Sequence, residues 1–227
     1  MRTARRMRVF SRIVLRTEAF SLLLSSSFAM VLLFARIAWT GHREYSFLAW
    51  NLFLAWIPFA IAIAIRALHT RGARMLLLLP AFAVWLGFLP NAPYLVTDFI
   101  HLRWRDTAPV WFDAMMLASF AWSGVALGSA SLRSCAHVIR VRHGWIAATC
   151  FVPIVAVLTG FGVYLGRFVR LNSWDVALRP GTVVAQVISP LAHPFLNMRA
   201  WTVTLTIAAF FVVAHLALAR GRRLNES

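Results

Sequence analysis

The sequence predicts an all-α fold, a polytopic transmembrane helical bundle of about six spans plus a short re-entrant or interfacial segment. Three observations carry this expectation. Hydrophobic residues make up 61% of the 227-residue chain and charged residues 13%, against roughly 45–50% and about 25% in soluble domains. The apolar residues recur in blocks along the whole length, at a mean hydropathy of +0.74. Short arginine-bearing stretches separate the blocks, as loops separate spans.

A bilayer core of about 30 Å takes roughly 20 helical residues to cross. The first candidate, Phe20 to Trp39, follows a basic leader in the manner of a signal peptide. Its run is as long as a full span and no small-x-small cleavage site precedes polar sequence, so a retained helix is expected. Further spans are expected at Phe47 to Ile65, Met75 to Tyr94, Val110 to Leu132, Trp145 to Leu165 and Trp201 to Ala219. The stretch Val183 to Leu196 is apolar but short, and Pro190 and Pro194 interrupt it, which makes it the re-entrant or interfacial piece. No internal repeat, heptad pattern or low-complexity linker divides the chain. It therefore reads as a basic N-terminal segment (1–19), one multi-pass membrane domain (20–219) and a tail (220–227).

A formal charge of +16 in a soluble protein would suggest nucleic acid. Here the 23 basic residues are all arginine and lie mainly at the ends of apolar blocks, where they set orientation and meet anionic headgroups. The expected partners are membrane lipids, including an anionic or phosphate-bearing headgroup, and not nucleic acid. Fifteen arginines fall in the leader, the segment around Arg66 to Arg74, the segment around Arg133 to Arg142 and the tail, and eight fall in the alternate connections. By the positive-inside rule both termini are expected on the cytoplasmic side. Glu44, Asp98, Asp106, Asp113 and Asp175 then share the outer side. Cys135 and Cys150 sit toward the cytoplasm, so no structural disulfide is expected.

Helix association in lipid depends on close approach and interhelical hydrogen bonds. Gly124 and Gly128 on the fourth span, and Gly162 and Gly166 on the fifth, form small-xxx-small faces that mark these two helices as packing partners. Ser25, Ser26 and Ser27 suit the same role on the first span. Trp39, Trp50, Trp104, Trp111, Trp174 and Trp201 lie at outer boundaries and Trp145 at an inner one, as an aromatic belt requires.

Two segments carry unusual polar chemistry. Pro90-Asn91-Ala92-Pro93 should break the third helix within the outer leaflet, and backbone groups freed there need protein or water, which suggests a polar pocket open to the outside. After the break, a helix would align Asp98, His101 and Arg105 on one face at spacings of three and four, a pattern suited to proton transfer, to holding a phosphate, or to simple ion pairing. The second segment, GVYLGRFVRLNSWD from Gly162 to Asp175, sets Arg167 and Arg170 three apart, followed by Asn172, Ser173 and Asp175 in a turn. Salt bridges among Asp98, Asp113, Asp175 and these arginines are the plain structural account. Candidate catalytic residues are Asp98, His101 and Asp175; candidate binding residues are Asn91, Tyr94, Arg103, Arg105, Arg167, Arg170 and Asn172. Arg36 is the nearest ionisable group to the bilayer midplane and is long enough to snorkel outward. No zinc, P-loop, dinucleotide or nucleophile-elbow motif occurs, and no metal or cofactor is expected.

The blocks GFLPNAPYLVTDFIHL (Gly87 to Leu102) and GVYLGRFVRLNSWD together resemble a bacterial membrane-protein family catalogued as domain of unknown function 1361. The resemblance covers most of the chain from the second helix onward. It implies a polytopic membrane protein and supplies no reaction, ligand or catalytic residue. The residues favour a binding or accessory protein with an outer-leaflet polar pocket. An intramembrane enzyme on a lipid-linked or isoprenoid-phosphate substrate is the alternative, and a small transporter the weaker one, since no inverted repeat is visible.

Overall fold

A computed structural model describes the backbone of residues 2–104, 107–170 and 178–223, and side chains between residues 17 and 219 of that set. Every described element is helical. Helix α1 (Arg2–Thr40) carries the basic leader into the first span without a break. Thr17–Thr40 is its apolar part, and Gly41 ends it at φ 71°, a left-handed conformation that glycine adopts without steric cost. Helix α2 (Phe47–Thr70) follows, closed by Gly72 at φ 83°.

The third helix is interrupted at the prolines as expected, and only the segment after the break differs in helix type. Helix α3 (Met75–Phe88) is followed by a one-turn α4 (Asn91–Tyr94), and the helix expected after the break is of the 3-10 type, Leu95–His101. Leu89 and Pro90 keep right-handed helical dihedrals, so the prolines remove hydrogen bonds without reversing the chain. The backbone is satisfied locally. Asn91 Nδ2 donates to the Phe88 carbonyl at 2.9 Å, Ala92 N to the Leu89 carbonyl at 3.1 Å and Tyr94 N to the Pro90 carbonyl at 3.0 Å.

Helix α5 (Val110–Tyr164) is 55 residues long, about 80 Å if straight and far more than a bilayer needs. Gly144, at φ 87° and ψ 176°, folds it into limbs 110–143 and 145–164. Both limbs meet the same segment: a Cβ on Gly124 would strike Ala92 and Leu95 while one on Gly162 would strike Pro90. Among the described residues five helices are long and apolar enough to cross a membrane, and the folded α5 is long enough for two crossings, in line with the six expected spans. A π-helical turn, Leu165–Val169, ends α5, with Arg170 at φ 62°. Helix α6 (Pro180–Ala192) corresponds to the short apolar piece, and only its Pro190 is buried. Helix α7 (Met198–Arg223) closes the bundle.

The 110–143 limb is the hub, and its many serines, glycines and alanines explain why. Small side chains let α2, α4 and α7 approach closely, which in lipid replaces the hydrophobic drive. The glycine faces work differently from the expectation: those of both limbs receive the segment from Pro90 to Leu95, and Gly128 also receives Phe211 of α7. A similar backbone approach joins Gly160 to Thr204. Hydrogen bonds lace the interior. Trp56 Nε1 donates to Ser26 at 3.2 Å, and Trp85 Nε1 donates to Ser131, whose hydroxyl donates to the Pro58 carbonyl at 2.9 Å. Large apolar side chains such as Phe20, Leu76, Trp122 and Val213 face outward while Arg36, Asp98 and Asp113 are buried, the polarity expected when lipid is the solvent.

Candidate functional site

The polar residues singled out by the sequence converge at the end of the bundle formed by the α1–α2 connection and the 3-10 helix. With three residues per turn, that helix sets Asp98 and His101 on one face, with Thr97 beside them and Tyr94 at the end of α4 just before. The π-helical turn carries Arg167 over them. Its Nε donates to Thr97 Oγ1 at 2.8 Å, one terminal nitrogen lies 3.3 Å from His101 Nε2, and the other pairs with Asp98 Oδ1. The guanidinium carbon sits 4.1 Å from the centre of the Tyr94 ring. Asn51 of α2 donates to the remaining Asp98 oxygen at 3.1 Å. A guanidinium only donates, so the His101 contact requires Nε2 to be unprotonated. The Asp98 side chain is 0% exposed and that of Arg167 9%.

A second cluster stands beside it. Arg36 Nε and a terminal nitrogen donate to the two oxygens of Asp113 at 2.7 and 3.3 Å, and Glu44 lies 3.5 Å from the same guanidinium. Tyr45 joins the clusters: its ring lies 4.6 Å from the Arg36 guanidinium carbon and its hydroxyl donates to the His101 carbonyl at 3.0 Å. Burial, and then the negative charge of Asp113, raise the Tyr45 pKa above its ordinary 10.0. The third nitrogen of Arg36 is buried without a hydrogen-bond partner among the described residues. Arg36 does not snorkel. Asp113 offers it a bidentate partner in the bundle, which is worth more than a stretched path to the headgroups.

The candidates from sequence thus divide. Asp98, His101, Tyr94 and Arg167 meet, and Asn91 stands apart as a backbone cap. Arg103 and Arg170 are exposed. Arg105, Asn172 and Asp175 lie outside the described residues. Sequence reasoning missed Asn51, Thr97 and Tyr45. A lone Asn within the apolar α2 was the available signal, since an amide at membrane depth needs a partner. Thr97 and Tyr45 carried none, being ordinary near a membrane boundary.

Chemically, the cluster is closed. Both Asp98 oxygens are engaged within the protein, and His101 Nε2 faces a cation, so neither group is poised to exchange a proton with a ligand. The arrangement ties the broken third span to α2 and to the end of α5. Among the described residues no three metal-ligating side chains gather in one place. An open cavity of about 710 Å³ sits at the opposite end, beside the Gly144 fold.

Long apolar helices packed around buried ion pairs define an integral multi-pass α-helical membrane protein. The chain belongs to the family described as protein of unknown function DUF1361, whose sequence model matches residues 50–214. The match begins in α2 and ends in α7, taking in both polar blocks. No curated protein and no solved structure matches the chain.

Proposed function

We propose that this is a binding or accessory protein of a bacterial inner membrane, with both termini cytoplasmic, that engages an anionic or phosphate-bearing headgroup at its outward, Asp98 end. The observation that carries the reading is the division of charge there. Asp98 and Asp113 are committed inside the bundle to Arg167 and Arg36. Arg103 and Arg170 are left exposed, with no hydrogen bond or ion pair among the described residues, and Trp104 beside Arg103 is 83% exposed. Guanidinium and indole together are the groups that meet lipid headgroups. The arginine distribution along the chain supports the orientation. Closure of Asp98 and His101 speaks for binding over the alternative, an enzyme acting on a lipid-linked phosphate.

The test is the double variant Arg103→Gln with Arg170→Gln, purified in mild detergent and titrated with phosphatidylglycerol or phosphatidylcholine under native mass spectrometry. The reading expects the wild type to retain phosphatidylglycerol preferentially and the variant to lose one bound lipid. Unchanged lipid retention and unchanged co-purifying proteins would overturn it.

A further inference from the structure

We propose that the cavity beside Gly144 is a second anion site, built for a phosphate group carried on an amphiphile or free in solution. It lies at the other end of the bundle and does not depend on the function proposed for the Asp98 end.

The cavity, about 710 Å³, is within the range of roughly 300–1,000 Å³ typical of ligand pockets. It opens between the two limbs of α5, α7, and the ends of α1 and α2 that approach them. Its charge is unbalanced. Arg66, Arg133 and Arg140 line it, and among the described residues Glu18 is the one carboxylate on its walls. Glu18 pairs with Arg133, which also donates to Ser129 at 2.9 Å. Ser129 in turn lies 3.1 Å from His215 Nδ1, so this wall is braced from α1 through α5 to α7. Arg66 feels the Glu18 charge without forming a contact ion pair, and Arg140 has no hydrogen bond or ion pair among the described residues.

Two guanidiniums facing one cavity at the edge of a low-dielectric bundle repel each other and raise the local potential, a cost that an anion between them relieves. Guanidinium also matches phosphate oxygens in pairs, so phosphate is the chemistry these groups select. His137 on the same wall can supply a further hydrogen bond. The rest of the lining mixes Ser134, Thr149 and His215 with apolar Val152, Pro153, Val212 and Leu216, and Trp145, 67% exposed, also lines it. A charged recess with apolar side chains and an exposed indole in its lining suits a headgroup whose chain continues along the bundle surface.

The experiment uses the full-length protein in detergent with Arg66→Gln and Arg140→Gln combined, Arg140→Gln alone as the milder change on an exposed side chain, and the Arg103→Gln, Arg170→Gln protein as a control at the other end. Phosphatidylglycerol, phosphatidylcholine and inorganic phosphate are the probes, read by native mass spectrometry and by thermal stabilisation. The proposal expects about a tenfold loss of apparent affinity in the double variant and a smaller loss in Arg140→Gln, with the control keeping this site. Selective loss of phosphatidylglycerol identifies a lipid source, and loss of stabilisation by inorganic phosphate identifies a soluble one. If Arg140→Gln keeps the wild-type melting behaviour and binds all three probes as the wild type does, the site is wrong. The same holds if phosphatidylcholine binds as tightly as phosphatidylglycerol and phosphate does not bind. Since each end has its own variant, failure at one leaves the other standing.

Discussion

Arg36 and Asp113 form a buried bidentate ion pair across α1 and α5, with Nε–Oδ1 at 2.7 Å and side chains 0% and 1% exposed. Such a pair costs most when half of it is removed, because an uncompensated charge then stays buried. Asp113→Asn or Arg36→Met should each destabilise the protein by about 3–5 kcal/mol. Arg36→Leu combined with Asp113→Leu should recover most of that loss. Thermal unfolding in detergent of the singles and the double checks this, and a double no better than the worse single would show that the pair is not an isolated unit.

The Asp98 cluster makes a graded prediction. Asp98→Asn strands the Arg167 guanidinium among Thr97, Tyr94 and His101, and should rank well above Asn51→Ala, which removes one hydrogen bond worth about 0.5–1.5 kcal/mol. Equal melting temperatures for the two variants would contradict the geometry described above.

Glycine substitutions separate close approach from helix propensity. Gly124→Ala and Gly160→Ala place a methyl against a backbone carbonyl, of Ala92 and Thr204 respectively, and overpacking of this kind costs about 1–3 kcal/mol. Gly87→Ala meets nothing within 4 Å and should be neutral or stabilising by about 0.4–1 kcal/mol. Detergent melting curves should place Gly124→Ala and Gly160→Ala below the wild type and Gly87→Ala at or above it.

Tyr45 predicts an alkaline limit. Its pKa is raised in the folded protein by burial and by Asp113, so the folded state holds this proton more tightly than the unfolded chain does. The resulting stability is complete below the unfolded value of about 10 and declines as pH rises through the higher folded value. Tyr45→Phe should remove this part of the alkaline decline, and the tyrosinate absorbance lost with the substitution should titrate above pH 10. An ordinary titration at or below that value would refute the burial argument.

By itself, the sequence determined the class of the protein and the positions of its spans. Apolar blocks of bilayer length leave no soluble alternative, prolines at 90 and 93 must disturb the third helix, and tryptophans mark boundaries whatever the helices pack against. It also brought forward Asp98, His101 and Arg167, because ionisable groups at membrane depth are costly unless paired. Only the tertiary structure decided who pairs with whom. Asp98 and Asp113 stand among several arginines at similar depth, and nothing local distinguishes one guanidinium from another. Rotation and register of the packed helices assigned Arg167 to Asp98 and Arg36 to Asp113, and drew in Asn51 and Tyr45. The same packing placed the glycine faces of both α5 limbs on the segment from Pro90 to Leu95, and folded α5 at Gly144. The open cavity lies at that fold because open space depends on how separate helices meet, which no stretch of one helix encodes.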